Sequence, residues 1–154
     1  ALELMKETDN EIFCVFTVQE EVGLRGAKPA AFAVSPDLAI AVDICGIPDT
    51  PGSFKPNALT LSGGPVIKLM DAAVLSHPAV VDLLKESAEA LKIKTQIEVT
   101  RRGGTDAGGI FNTRGGVPSG VLSIPIRYTH NPNEIADLTV AEDCARLLAE
   151  AIAR

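Results

Sequence analysis

The sequence predicts an α/β fold, a mainly parallel mixed sheet flanked by helices, formed as a single domain over residues 1–154. Apolar runs of strand length alternate with amphipathic segments of helix length, the pattern typical of parallel sheets covered by helices. The run over residues 12–18 is continuously apolar, as in a strand that is buried on both faces, and residues 95–100 alternate between polar and apolar side chains. With 154 residues, of which 46% are hydrophobic, the chain is long enough to bury one sizeable core.

The predicted elements follow one another with short connections. Residues 1–8 are predicted to end a helix, which Asp9 and Asn10 close, and residues 12–18 form a continuously apolar candidate strand. Further strands are predicted over residues 38–42, 65–70, 95–100 and 117–128. Further helices are predicted over residues 28–34 and 78–92. A glycine-rich turn at residues 101–109 is predicted to lead into a short helix. The last helix is predicted to start near Thr139, where Thr-Val-Ala-Glu has the capping-box pattern.

Charge and composition argue against several functional classes. The net charge of −6 and the lack of a basic face disfavour a nucleic-acid partner. The sequence has no apolar run long enough to span a membrane. Its first residues resemble the middle of an amphipathic helix rather than a secretory signal, so we expect the chain to begin inside a longer protein.

The three cysteines are odd in number and widely spaced, and none forms a CxxC pair. Cys14 lies in a predicted strand and Cys144 on the apolar side of the last helix. Both are predicted to be buried free thiols. Free thiols favour the reducing cytoplasm.

Acidic and imidazole side chains follow three of the predicted strands. Glu20 and Glu21 come after residues 12–18, Asp43 ends the next strand, and His130 follows the last long strand. Sites in such sheets form outside the carboxyl ends of the strands, so we expect these side chains to meet in one pocket. Carboxylates and a neutral imidazole bind metals, and a further carboxylate beside a metal can move a proton. The sequence therefore predicts a metal-dependent site.

Plainer interpretations stay open on these residues alone. A Glu-Glu pair is most often a solvated acidic turn, and a single Asp after a strand is most often a turn residue. We interpret His77, which precedes Pro78, as a surface or helix-capping residue. The segment at residues 103–109 lacks nucleotide-binding spacing. It is either a tight turn packed on the sheet or a loop that lets a substrate approach the backbone closely.

The predicted ligands are too few for two metals. Glu21, Asp43 and His130 suffice for one ion, because a catalytic zinc usually takes three protein ligands. A two-metal centre needs more, including a bridging carboxylate, and those ligands are expected outside this chain. A glycan hydrolase is disfavoured, because adjacent glutamates rarely reach the carboxyl separation of roughly 5–9 Å that such enzymes use.

Several motifs in a fixed order resemble one known family. They are VQEEVG at residues 18–23, VD at 42–43, DTPG at 49–52, GPVIKLMD at 64–71, RGGTDAG at 102–108, GVP at 116–118 and IPIRYTH at 124–130. Together they are similar to the tetrahedral (glutamyl) aminopeptidase family of dinuclear metallopeptidases. The resemblance covers essentially the whole chain.

The resemblance implies a zinc-aminopeptidase-like catalytic domain without its N-terminal part. It implies that Glu20 is the general base that activates a metal-bridging water, that Glu21 and His130 bind one metal, and that Asp43 binds the other. The loop that lines the substrate cleft would be formed by Gly104, Thr105 and Asp106. Cys45 stands where many relatives are expected to have Thr.

The activity implied is that of a cytoplasmic metalloaminopeptidase that removes N-terminal residues from peptides. Its cofactors would be two divalent ions, with zinc, cobalt and manganese all suited to Glu, Asp and His ligands. The family assembles as a homo-oligomer, a hollow tetrahedral dodecamer. The alternative is a non-catalytic fragment or subunit that retains the fold but lacks a complete dinuclear site.

Overall fold

The computed structural model describes residues 2–4, 7–52 and 59–154. In chain order, the described elements are a 3-10 turn (Leu2–Leu4), α1 (Ala27–Val34), β1 (Ala39–Gly46), β2 (Val66–Met70), α2 (Pro78–Leu91), β3 (Gln96–Val99), α3 (Asp106–Ile110), β4 (Ser119–Arg127), β5 (Ile135–Ala136) and α4 (Leu138–Ala153). None of the described helices is both long and apolar enough to cross a membrane.

One mixed sheet forms the centre of the fold. Its strand order is β1-β4-β2-β3, and β5 pairs with the end of β4. The two longer ladders, β1 with β4 and β2 with β3, are parallel. The shorter ladders, β2 with β4 and β4 with β5, are antiparallel. The predicted α/β class, a mostly parallel sheet flanked by helices, is confirmed.

The two faces of β4 lead into separate parts of the core, because neighbouring side chains of a strand point to opposite faces. Leu122 packs with residues of α2 and α4, including Leu84 and Leu147, and all three are fully buried. Val121 faces the other way and packs with Ala41 and Ala107, the latter in α3. Helix α1 packs in turn against α3. The sheet thus lies between α2 and α4 on one side and α3 on the other.

Most predicted helices are present with small shifts at their ends. His77 is the N-cap of α2, and its Nδ1 accepts a hydrogen bond from the backbone N–H of Ala79, which confirms the capping interpretation. The cap of helix α4 lies two residues before the predicted Thr139, because the Asp137 carboxylate accepts from Thr139 N at 2.9 Å and acts as the cap. The predicted helix over residues 1–8 is described only as the short turn Leu2–Leu4, and residues 1, 5 and 6 of that prediction lie outside the described part.

The predicted strand over residues 12–18 is wrong. These residues form no strand, and Phe16 and Val18 are 95% and 67% exposed. A strand needs a hydrogen-bonded neighbour, and among the described residues β1 pairs only with β4. The prediction that Cys14 is buried is wrong for the same reason, since its thiol is exposed, whereas Cys144 is a buried free thiol as expected.

The predicted end of the second strand is also wrong. We expected the strand over residues 38–42 to end at Asp43. Instead β1 continues to Gly46, because its ladder with β4 runs on to the pair Gly46 and Ile126. Asp43 therefore lies within a strand, opposite Ser123. The glycine- and proline-rich stretch that follows includes residues 53–58, which lie outside the described part.

Candidate active site

A compact turn carries the two adjacent glutamates. The backbone N–H groups of Gly23 and Leu24 both donate to the Glu20 carbonyl, and Gly26 N donates to Val18 O at 2.9 Å. A side chain at Gly26 would place its Cβ 2.5 Å from that same carbonyl oxygen, so only glycine allows this close approach. The turn leaves Glu20 partly buried and Glu21 exposed just before α1.

Glu21 reaches the loop that follows β4. Its carboxylate oxygen lies 3.2 Å from the Nε2 atom of His130, and both side chains are 70% exposed. The backbone N–H of His130 donates to the carboxylate of Glu134 at 2.7 Å, which holds the loop. His130 adopts a φ of 62°, an uncommon conformation for a residue other than glycine. Two residues far apart in the sequence thus place a carboxylate oxygen and an imidazole nitrogen, both possible metal ligands, next to each other.

Asp43 and Glu20 belong to the same electrostatic region. Partial burial raises the pKa of the Glu20 carboxyl, and the negative charges of Asp43, Glu21 and Asp106 raise it further, against a lowering by His130. Burial also raises the pKa of Asp43, an effect opposed by the hydrogen bond from Ile44 N and by the positive charge of Lys68. Both carboxyls therefore hold their protons more firmly than an ordinary exposed acid does.

The glycine-rich segment that follows β3 places Asp106 beside these acids. One carboxylate oxygen of Asp106 accepts a hydrogen bond from the Thr17 hydroxyl. Its other oxygen is buried and has no hydrogen-bond partner among the described residues. The neighbouring Thr105 is 1% exposed, and its hydroxyl donates to Asp71 at 3.1 Å. Of the predicted cleft residues, Asp106 thus lies near Glu20 and Asp43, whereas the Thr105 side chain points into the protein.

The donor set fits part of a metal site. Glu21 and His130 have the right chemistry for a divalent ion and already lie together. However, the described residues contain no group of three or more His, Cys, Asp or Glu side chains placed to hold a metal. Asp43 uses one carboxylate oxygen to accept from Ile44 N at 2.7 Å. The described part of the chain therefore supplies some ligands of the expected type without closing a site.

Two features near the site were missed from the sequence. Lys68 and Glu98, paired across β2 and β3, form an ion pair at 3.2 Å whose side chains are each 7% exposed. A charged residue in each of two neighbouring apolar strands was the signal for that pair. Asp71 directly follows β2 and is 3% exposed. The rule on strand ends that selected the other acids also applies to Asp71.

Comparison with known proteins matches these motifs to one family. The model of the M42 glutamyl aminopeptidase family matches residues 1–147. The chain belongs to the M42 family. The resemblance seen in the motifs is therefore confirmed over nearly the whole sequence.

Relatives of this M42 chain are both bacterial and archaeal. A protein of Acetivibrio thermocellus is 52% identical over 152 residues, which are 99% of this chain and 46% of that protein. The lysyl aminopeptidase of Pyrococcus furiosus is 38% identical over 144 residues, which are 92% of this chain and 40% of that enzyme. The M42 chain thus spans less than half the length of the relatives it matches.

Solved structures share the fold of this M42 chain. An aminopeptidase from Desulfurococcus kamchatkensis matches with a TM-score of 0.94 and 39% identity, over 99% of this chain and 44% of that one. The TET1 peptidase of Pyrococcus horikoshii matches with a TM-score of 0.73 and 36% identity, over 90% of this chain and 39% of that one. That peptidase can assemble into a tetrahedron or a large octahedral shell.

Proposed function

We propose that residues 1–154 form part of the catalytic domain of a metal-dependent aminopeptidase that removes N-terminal residues from peptides. The observation that carries the proposal is the contact between Glu21 and His130, 3.2 Å apart, in two of the motifs that resemble the family. Membership of the M42 family supports it. The aminopeptidase activity of relatives such as the Pyrococcus furiosus enzyme agrees with it.

In this proposal, Glu21 and His130 hold one divalent ion and Asp43 holds a second. Oxygen and imidazole donors suit zinc, cobalt and manganese. When bound, such ions supply the acidity that activates a water and the positive charge that polarises the scissile carbonyl. The ligands that would complete the two sites are expected outside residues 1–154, since the described residues hold no closed group of three.

Glu20 is the residue we propose for proton transfer. A carboxylate beside a metal-bound water is a common general base, and partial burial raises the pKa of the Glu20 carboxyl. Glu20 accepts a proton from the attacking water and delivers it to the leaving amine. The adjacent Glu21 faces His130 instead, so the two glutamates have different tasks.

The loop at residues 104–106 is proposed to line the peptide cleft. Asp106 is close enough to Glu20 and Asp43 to raise the pKa of each. The buried, unpartnered oxygen of its carboxylate remains free to accept a hydrogen bond from a donor that is absent from the described residues. A peptide bound at this loop would be placed next to the proton-transferring residue.

The proposed setting is a cytoplasmic homo-oligomer. The two buried cysteines are free thiols, which agrees with a reducing compartment. The shells formed by the Pyrococcus horikoshii relative support a tetrahedral assembly for the complete protein. A non-catalytic fragment or subunit is the second candidate, and the incomplete ligand set favours it for residues 1–154 in isolation.

Metal removal from the complete natural protein that carries residues 1–154 tests the proposal. Dialysis against a chelator should abolish hydrolysis of aminoacyl-nitroanilides and peptides, and zinc, cobalt or manganese should restore it. Residues 1–154 alone should bind at most one ion weakly in a calorimetric titration and should hydrolyse nothing. Full activity after verified metal removal would reject the metalloaminopeptidase, and an inactive but metal-loaded complete protein would favour the non-catalytic alternative.

A further inference from the structure

Two loops at the ends of neighbouring strands are tied together inside the protein. The first follows β2 and begins at Asp71, and the second follows β3 and contains Thr105. The Thr105 hydroxyl donates to one carboxylate oxygen of Asp71 at 3.1 Å, and the two residues are 1% and 3% exposed. A backbone bond from Ala72 N to Gly103 O, at 3.0 Å, lies beside it. Water therefore has little access to this connection.

Asp71 is itself held firmly. Its other carboxylate oxygen accepts from the backbone N–H groups of Ala73, at 2.7 Å, and Val74, at 2.9 Å. The backbone N–H of Asp71 donates to the carbonyl of Val74 at 3.0 Å, which closes the loop on itself. Bonds from N–H groups to an ionised carboxylate are stronger than neutral ones. The carboxylate thus forms a fixed acceptor for the Thr105 hydroxyl.

Thr105 sets where α3 begins. It is the N-cap residue of that helix, yet its side chain makes no capping bond, because the hydroxyl is turned towards Asp71. Its carbonyl accepts from Gly108 N at 2.8 Å, the first turn of the helix. The next residue is Asp106, whose carboxylate accepts a hydrogen bond from the Thr17 hydroxyl. Asp106 is therefore held by a distant segment through Thr17 and by its neighbour Thr105, which is bonded to Asp71.

The start of α3 packs closely against the loop that follows β2. A Cβ at Gly104 would lie 3.0 Å from the Cβ of Ala73, and a Cβ at Gly108 would lie 2.5 Å from it. The start of α3 therefore rests directly on the loop that Asp71 organises. A shift in one loop must be transmitted to the other.

We propose that Asp71 and Thr105 are positioning residues that hold Asp106 in its substrate-binding place, and that the Thr105 side chain does not itself contact the peptide. The inference rests on the proposed function, in which the loop at residues 104–106 lines the cleft. It assigns the binding contact to Asp106 and the backbone of the loop. The hydroxyl of Thr105 acts inwards, through Asp71.

Substitutions that separate the hydroxyl from the shape of the side chain test this role. In the complete natural protein, Thr105→Val removes only the hydrogen-bonding group, and Thr105→Ser keeps it. We expect Thr105→Val to raise KM for peptide substrates by about tenfold while kcat changes by less than about threefold, because a contact made equally with substrate and transition state is weakened. Thr105→Ser should restore KM to within about twofold of the natural protein, because the bond to Asp71 can still form.

Thr113→Val is the matched control. Thr113 is 2% exposed, and its hydroxyl donates to Gly109 O at 3.2 Å, so this change also removes a buried threonine hydroxyl near α3. In the described part of the chain, the Thr113 hydroxyl makes no hydrogen bond to Asp71. We expect its KM to stay at the value of the natural protein. An equal rise of KM in Thr113→Val and Thr105→Val would show a general packing effect and overturn the proposal.

Hydrogen exchange of residues 103–110 separates this inference from the proposed function. Thr105→Val should speed exchange of this segment and Thr105→Ser should not, whether or not the protein cleaves peptides. Unchanged exchange, or faster exchange with an unchanged KM, would overturn the positioning role. If the natural protein is inactive, the proposed function fails while exchange still decides whether Thr105 fixes the loop. Thr105→Ala serves as the second variant if Thr105→Val does not fold.

Discussion

The Nε2 atom of His130 lies 3.2 Å from a carboxylate oxygen of Glu21, although one residue is near the start of the chain and the other near its end. The contact depends on local backbone geometry at both residues. His130 has a φ of 62°, and Glu134 holds its backbone N–H. The turn that carries Glu21 needs the close approach of Gly26 to Val18. Both loops are held by backbone hydrogen bonds, and they bring the two side chains together at the surface.

The first prediction concerns metal affinity in the complete natural protein. Glu21→Gln and His130→Ala each remove one donor from the pair, and each should weaken metal binding by about tenfold or more, since few ligands share the ion. Activity should then return at high metal concentration. Calorimetric titration and the metal dependence of peptide hydrolysis measure both effects.

His77→Ala is the control for that experiment. It removes the other histidine of the chain, which caps α2 and accepts from Ala79 N at 3.3 Å. It should lower the unfolding temperature slightly and leave the metal affinity unchanged. Equal metal binding by His130→Ala and the natural protein would contradict the ligand assignment.

The second prediction separates proton transfer from metal binding. Glu20→Gln keeps the size and polarity of the side chain but cannot accept a proton, so kcat should fall by roughly 10²–10⁴-fold, the usual contribution of a general base. Metal content, measured by elemental analysis, should stay the same. Glu11→Gln, an exposed change in the same part of the chain, is the control and should leave kcat unchanged. Unchanged turnover in Glu20→Gln would reject the base assignment.

The third prediction concerns thiol reactivity. Burial raises the pKa of Cys45 to about 12 and that of Cys144 to about 12, so both remain protonated and enclosed near pH 8. Cys14 is exposed. In the folded chain of residues 1–154, a disulfide reagent should therefore label Cys14 alone, and all three thiols should react after denaturation.

Cys14→Ser tests which thiol was labelled. The folded variant should take up no reagent on the same timescale. Rapid labelling of Cys45 or Cys144 in the folded chain would show that the core around them opens easily, contrary to their burial.

The fourth prediction concerns the pH dependence of stability. Arg127 donates two hydrogen bonds to the Asp49 carboxylate, at 2.7 and 2.9 Å. This pairing holds the pKa of Asp49 below its ordinary value of 3.8. The folded protein thus favours the ionised form of Asp49. The pair therefore stabilises the folded state fully above pH 3.8, and this stabilisation is lost as the pH falls through the lower pKa of the folded state.

Asp49→Asn should therefore lower the unfolding temperature at pH 7 and 5, and the difference from the natural chain should shrink towards pH 2. Thermal unfolding followed by circular dichroism measures it. The control is Asp143→Asn, in the exposed pair with Arg146, which should have little effect at any pH. A difference that stays constant from pH 7 to 2 would contradict the role of the Asp49 charge.

The regular elements were predictable because each leaves a local pattern. Helix α2 has Pro78 in its first turn and apolar residues at helical spacing, and it was placed within a residue of its observed end. Strand β4 lies within the strand predicted over residues 117–128 and is buried along almost its whole length. The family motifs were equally visible, since short runs such as residues 18–23 and 102–108 are contiguous in the chain.

Residues 12–18 show where local pattern stops being informative. Their apolar side chains show a tendency to be buried, but the sequence does not state which neighbour would bury them, and the described structure leaves Phe16 exposed. Asp43 was misplaced for a related reason. The length of β1 depends on how far β4 runs beside it, and pairing partners distant in sequence leave no local signal.

From its own residues, the sequence determined the α/β class, the helices, the buried strands and the family, because burial periodicity and contiguous motifs are properties of neighbouring residues. The strand ends and the family motifs also predicted that Glu21 and His130 lie together, and their side chains are in contact. Only the tertiary structure decided that Asp43 lies within a strand and that the Thr105 hydroxyl turns inwards to Asp71. Those relationships depend on the direction of side chains from separate segments. Such directions are fixed only when the sheet and its loops pack together.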